Sequence, residues 1–286
     1  MVSLPQNDGD VRNYNLSGST QYNPRIYFVN GIRVLPEDHA QTAAYLSLLV
    51  EHPVNGVYNK TAGVKLGSLA DGLQCVADYL QNSLARLSSE SNRGNPGRIR
   101  EQDIPTFLMN IEQIYTVWNR ATLSLFKQLV QNRHYKQLII AHSQGNLITS
   151  NALFVLEDVL GAQALSKIRV YSLASPAPAW PVGLRKVNGG GGRQDNAFMN
   201  DLVALLRPHN LAGKLGFPGF QNAGDFRTYG ASGPVALEPH AVTNVVESLN
   251  FIKSIRMDLG LPGDLDPLYL RKAQEIASGE LSRTGK

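Results

Sequence analysis

Ser143 lies at the centre of Ala141-His142-Ser143-Gln144-Gly145, directly after the apolar run Leu138-Ile139-Ile140. A serine at the apex of a tight strand-to-helix turn is held in strained backbone geometry. Its hydroxyl points out of the sheet, and the N–H of the next residue points at the same space. Residues two before and two after must be small to clear the neighbouring strand and helix, and Ala141 and Gly145 meet that need. The chemistry this arrangement offers is nucleophilic attack. It needs a base, an acid to orient the base, and donors for a developing oxyanion.

In a sheet carrying such a turn, the partners follow in the order serine, acid, histidine. Three aspartates could serve as the acid: Asp195, Asp201 and Asp225. Asp201 follows a strand-like run and precedes Leu202-Val203-Ala204-Leu205-Leu206, where an unpaired carboxylate would be costly, so it is the favoured candidate. Asp195 sits beside a glycine run and is expected to be solvated. Of six histidines, only His209 and His240 follow Asp201. His240, in Glu238-Pro239-His240 ahead of an amphipathic stretch, is preferred over His209 as the base. His39 and His134 read as solvated residues on polar faces, and His142 should point away from the serine. The oxyanion donors are expected to be the N–H of Gln144 and the N–H of Ile32. Ile32 belongs to Val29-Asn30-Gly31-Ile32, where Gly31 lets the backbone come close. Asn30 and Gly31 should therefore border the substrate. Leu211 and Phe217, within Leu205 to Phe220, are apolar residues of a kind that more often simply fills a core.

These groups need a scaffold that brings distant loops to one edge. Arg25–Val29, Gln137–Ala141 and Ile168–Leu173 read as buried strands, Val54–Tyr58 as a weaker one, Ala197–Met199 and Phe226–Tyr229 as short ones. Helical spacing covers Pro36–Glu51, Leu66–Leu87, Ile104–Val130 with a break near Pro105, Gly145–Leu160 and His240–Met257. In Leu66–Leu87, one face carries Leu69, Leu73, Val76, Ala77 and Leu80. Asp266-Pro267 reads as the start of a last helix. Strands alternating with helices predict an α/β fold: a mostly parallel central sheet with helices on both faces. In such sheets function gathers at the carboxyl ends of strands, where Ser143 lies. The expected organisation is a polar N-terminal segment over 1–24, a single domain over 25–257, and a C-terminal helix and tail over 258–286. Gly189–Gly192 reads as a flexible surface loop.

Of the 286 residues, 43% are hydrophobic and 17% charged, which suits a packed chain. Lys plus Arg number 27 against 23 acidic residues, a formal charge of +4 without a basic block, so nucleic acid is not an expected partner. The one cysteine, Cys75, rules out an intrachain disulfide and a thiolate zinc site, and reads as a small core residue. The pair Asp264 and Asp266 has Tyr269 where a calcium loop needs glycine. No secretory signal and no membrane-length apolar run is seen. The compartment expected from these features is the cytoplasm, although a trimmed signal would leave no trace. No metal or organic cofactor is expected.

The residues also resemble the α/β-hydrolase superfamily on its lipase and esterase side. Ala-His-Ser-Gln-Gly at 141–145 looks like the lipase elbow, and Val-Asn-Gly-Ile at 29–32 is similar to the Val-His-Gly-Ile oxyanion loop of small bacterial lipases, with Asn30 for His. Asn200-Asp201-Leu202-Val203 resembles the segment around the acid of class 3 lipases. Tyr171 to Pro176 resembles a strand end of the same group, with Ala174 for Gly. The resemblance spans roughly Arg25 to Met257 and implies the α/β-hydrolase fold and hydrolysis of a small-molecule or lipid carboxylic ester. It assigns Ser143 as nucleophile, His240 as base, Asp201 as the orienting acid, and Ile32 and Gln144 as oxyanion donors. The same site could serve a thioesterase, amidase or acyltransferase, and a hydrolase fold can also act as a non-catalytic binding protein.

Overall fold

The computed structural model describes residues 3–32, 34–60, 69–91, 97, 99–115, 118–173, 175–185, 192–198, 225–229 and 249–264. Asp201, Leu211, Phe217, His209 and His240 lie outside the described residues, as does the last helix expected after Asp266.

Seven strands form one sheet: β1 (Val11–Tyr14), β2 (Arg25–Val29), β3 (Val54–Val57), β4 (Gln137–His142), β5 (Ile168–Leu173), β6 (Gly192–Phe198) and β7 (Asp225–Tyr229). Their spatial order is β1-β3-β2-β4-β5-β6-β7. All neighbours run parallel except β1, which pairs antiparallel with β3. Six helices are described: α1 (Pro36–Leu49), α2 (Leu69–Ser91), α3 (Ile104–Ile114), α4 (Arg120–Gln131), α5 (Gly145–Leu160) and α6 (Leu249–Asp258). The chain is thus an α/β protein with a mixed, mostly parallel sheet.

Burial of both sheet faces explains why the central strands read as unbroken apolar runs rather than alternating ones. Ile26 and Phe28 of β2 and Leu138 and Ile140 of β4 pack with Ala40, Ala43, Leu46 and Leu49 of α1, and with Ile252 and Ile255 of α6. Tyr27, Val29 and Ile139 face the other way, onto Leu125, Phe126 and Leu129 of α4 and Leu147, Ile148 and Leu153 of α5. Neighbouring residues on one strand thus serve opposite cores, as the two-residue period of a strand requires.

Several boundaries differ from the sequence reading. The segment before residue 25 contributes β1, whose Tyr14 is buried in the core. Ile104–Val130 holds two helices, one ending at Ile114 and the next starting at Arg120, and Pro105 lies in the first turn of α3, which needs no N–H from it. Asn119 caps α4, its side chain accepting from the Ala121 N–H at 2.8 Å. Gly192, read as loop, begins β6.

Two corrections concern which way side chains face. His39, expected in solvent, is fully buried. Its ring stacks on Phe28 at 5.4 Å between centroids and meets the edges of Tyr14 and Tyr58. In α2 two residues of the apolar face read from the sequence, Val76 and Leu80, do not pack, and the side chains of Leu69 and Leu73 lie outside the described residues. Val76, Leu80, Leu84 and Leu87 are exposed, whereas Asp78 and Asn82 are fully buried and Cys75 and Tyr79 lean on the core. The helix packs on α5 through polar groups: Asn82 donates to Ser150 Oγ at 2.8 Å and Asn151 Oδ1 at 2.9 Å, and Asn151 donates to the Asp78 carbonyl at 3.1 Å.

At the far end, Arg256 of α6 is 2% exposed. It donates to the Leu49 carbonyl and to Glu51 Oε1, each at 2.8 Å, and through Nε to the Pro262 carbonyl at 2.8 Å. Arg256 thereby closes the C-terminus of α1, where carbonyls lack intrahelical donors.

Candidate active site

Ser143 follows β4 by one residue and has φ of +54°, the left-handed region that a residue with a Cβ enters only at a cost. The surroundings hold it there. Its N–H donates to the Leu173 carbonyl at the end of β5, at 3.0 Å. Its carbonyl accepts from the backbone and side-chain N–H groups of Asn146, both at 3.0 Å, and the Asn146 amide also reaches the Leu173 carbonyl at 2.8 Å. Asn146 therefore staples the turn to the neighbouring strand end.

Small residues are required on both sides. A Cβ on Gly145 would run into the carbonyl oxygen of Val29, so the start of α5 lies against the end of β2. A Cβ on Gly31 would stand 2.6 Å from the Ser143 Cβ and 3.1 Å from its Oγ. The loop after β2 thus presses its backbone onto the serine.

Among the described residues, neither the Gln144 N–H nor the Ile32 N–H finds an acceptor. Ser143 itself is 3% exposed, which places its hydroxyl in a sheltered position.

Beneath the turn runs a network of amides that the sequence reading missed. Asn30 is fully buried. Its Oδ1 accepts from the Asn59 N–H at 2.9 Å, and its Nδ2 donates to the Asn59 and Gly31 carbonyls, both at 2.9 Å. Its side chain therefore braces the loop internally. Asn59 Nδ2 donates to Gln144 Oε1 at 3.0 Å, and Gln144 Nε2 donates to Asp78 Oδ2 at 2.5 Å. Asp78 Oδ1 accepts from Gln74 at 3.1 Å. Burial pushes the Asp78 carboxyl up to about 6, against the opposing effect of the Gln144 and Gln74 donors, and the nearby Asp8 adds to the rise. Asp8 is itself raised by burial, although the Lys60 N–H donates to it at 2.9 Å.

A signal for this network was present. Tyr27-Phe28-Val29-Asn30 and Gly56-Val57-Tyr58-Asn59 each run off a strand into an asparagine. The two strands are parallel neighbours with Val29 opposite Val57, so both asparagines arrive at one sheet edge. Gln74, Asp78 and Asn82 recur every four residues and form a polar stripe on α2 that continues into Arg86.

The structure brings together Ser143, Gln144, Asn30, Gly31 and Ile32, the part of the site formed by the ends of β2 and β4. Cys75 is half-buried, and its thiol is pushed up to about 11 by burial and by Asp78, so it is not a thiolate at neutral pH. Among the described residues, no group of three or more His, Cys, Asp or Glu side chains could hold a metal ion. Among them, too, no helix is long and apolar enough to cross a membrane.

The fold and the turn define an α/β protein carrying a strained serine at the carboxyl edge of its sheet. No protein-family model, curated protein or solved structure matches the chain.

Proposed function

We propose that the chain is a carboxylester hydrolase, an esterase or lipase with the α/β-hydrolase fold, acting through an acyl-enzyme on Ser143. The observation that carries the reading is Ser143 held at φ +54° with the Gly31 backbone pressed against it. A resting fold has little reason to retain a left-handed serine with a second loop packed onto its side chain; a presented nucleophile does.

Three further features support it. The Gln144 and Ile32 N–H groups lie on the two loops flanking the serine and have no acceptor among the described residues. The strand order matches a sheet in which the serine leaves a central strand, β4. In sequence, Asp201 comes three residues after the end of β6, and His240 falls between β7 and α6, the places the acid and base should occupy.

In this reading His240 takes the proton from Ser143 Oγ as it attacks the ester carbonyl. Asp201 holds the imidazole and balances its positive charge. The N–H groups of Ile32 and Gln144 stabilise the oxyanion, and His240 returns the proton to the departing alcohol. Water then attacks the acyl-enzyme by the reverse of the same proton path. Leu211 and Phe217 are the proposed contacts to the acyl chain.

The test is covalent labelling. A fluorophosphonate should modify the wild-type protein at Ser143, and Ser143→Ala should abolish the adduct while leaving the thermal transition in place. A folded wild-type protein that takes no label would end this reading. A panel of matched esters, thioesters and amides then separates ester hydrolysis from the neighbouring acyl-transfer reactions.

A further inference from the structure

Asp78 is an unusual residue to bury. It is fully enclosed, yet its hydrogen-bond partners among the described residues are neutral amides, and the charge of Asp8, which acts on it, has the same sign. Holding a carboxylate in such a place is costly, and a neutral residue of similar size would pack there more cheaply. What the carboxylate provides is an acceptor with no competing donor, aimed at one particular amide.

That amide belongs to Gln144. Its two ends are both committed: Nε2 to Asp78 at 2.5 Å and Oε1 to Asn59 at 3.0 Å. Asn59 is in turn locked to Asn30 by a reciprocal pair of 2.9 Å bonds, and Asn30 holds the Gly31 carbonyl at 2.9 Å. The Gly31 carbonyl and the Ile32 N–H belong to one peptide unit, whose plane is fixed once its carbonyl is held. The chain Asp78–Gln144–Asn59–Asn30–Gly31 therefore joins the residue carrying one oxyanion donor to the peptide carrying the other.

We propose that Asp78 is a positioning residue: its carboxylate clamps the Gln144 side chain and so sets the separation and direction of the two N–H groups that would receive the oxyanion. This rests on the hydrolase reading of Ser143. Oxyanion stabilisation depends on donors prearranged before charge develops, so a loosened Gln144 should weaken the reaction step far more than the encounter with the reagent.

The experiment measures the rate of fluorophosphonate modification of Ser143, separated into the limiting rate and the half-saturating concentration. It uses wild type, Asp78→Ala, Asp78→Asn, Gln144→Leu and the double variant Asp78→Ala/Gln144→Leu. The limiting rate should fall at least about tenfold in Asp78→Ala, with the half-saturating concentration changed less than about twofold. Asp78→Asn keeps an oxygen for Gln144 Nε2 and should recover most of the rate. Gln144→Leu should slow modification as Asp78→Ala does, and the double variant should be no slower than the slower single one, because both cut the same link. Gln144→Leu leaves α2 unaltered, so it decides the matter if Asp78→Ala fails to fold. Unchanged limiting rates in the single variants, or fully additive losses in the double one, would overturn the positioning role. Wild type that takes no label would instead bring down the hydrolase reading beneath it.

Discussion

At the level of single residues, the site depends on atoms that are absent. Gly31 and Gly145 leave room where a methyl group would meet Ser143 and the Val29 carbonyl. Gly31→Ala should slow phosphonate modification by about tenfold or more while the protein still folds, a loss of about 1.4 kcal/mol of transition-state stabilisation. Comparing labelling rates and melting curves for the two proteins checks this. Two buried titratable groups give the stability opposite pH dependences. His39 is held down to about 3 by its apolar cage, below its ordinary 6.5. The folded protein binds the His39 proton less readily than the unfolded chain does, so stability is full above pH 6.5 and falls as the pH drops from there towards 3. Replacement by Phe should remove this limb, so that between pH 7 and pH 4.5 His39→Phe loses about 3 kcal/mol less stability than wild type in urea titrations. Asp78 is raised, so its contribution is full below about pH 4 and is lost as the pH rises through 6. Asp78→Asn should gain on wild type above pH 6 in the same assay. The serine turn was legible because its spacing rules are local. The burial of His39 was not, because its neighbours Phe28, Tyr14 and Tyr58 come from three other segments.

At the level of elements, periodicity located helices better than it oriented them. Gly145–Leu160 is a helix over the expected residues because its start is fixed by the turn and its apolar residues line the core. The spacing of α2 also marked a helix, but its orientation followed polar partners on α5 that no periodicity in α2 could announce. The exposed leucines of α2, Leu80, Leu84 and Leu87, should therefore be dispensable to the fold. Leu80→Gln and Leu84→Gln, alone or together, are expected to shift stability by no more than about 0.5 kcal/mol per site. Asn82→Leu should cost several times more, since it strips partners from Ser150, Asn151 and the Ala179 N–H. Thermal unfolding of the three variants distinguishes an inward polar face from an inward apolar one. The strand β1 escaped the sequence reading for a related reason. Val11-Arg12-Asn13-Tyr14 puts one polar residue on each face, so it shows no apolar alternation, and it belongs to the sheet through backbone pairing with β3, with Tyr14 as its buried anchor.

Across the whole molecule, the alternation of strands and helices gave the α/β class, whereas the strand order depends on crossovers that composition does not encode. β2 sits between β3 and β4, so the loops carrying Asn30 and Ser143 are neighbours in space despite more than a hundred intervening residues. The Arg256 clasp follows from the same long-range wiring. Its guanidinium reaches the Leu49 carbonyl across 207 positions, and Glu51, its ion-pair partner, sits at φ +51°. Some 207 positions separate the Leu49 carbonyl from Arg256, so a ribosome must add that stretch before α1 receives this seal, and α1 is finished long after it is made. Nascent chains stopped before residue 250 should leave the α1–β3 corner open to limited proteolysis, and extension past Asp264 should close it. For a cell producing this protein, the vulnerable interval would then last through the synthesis of everything between α1 and α6.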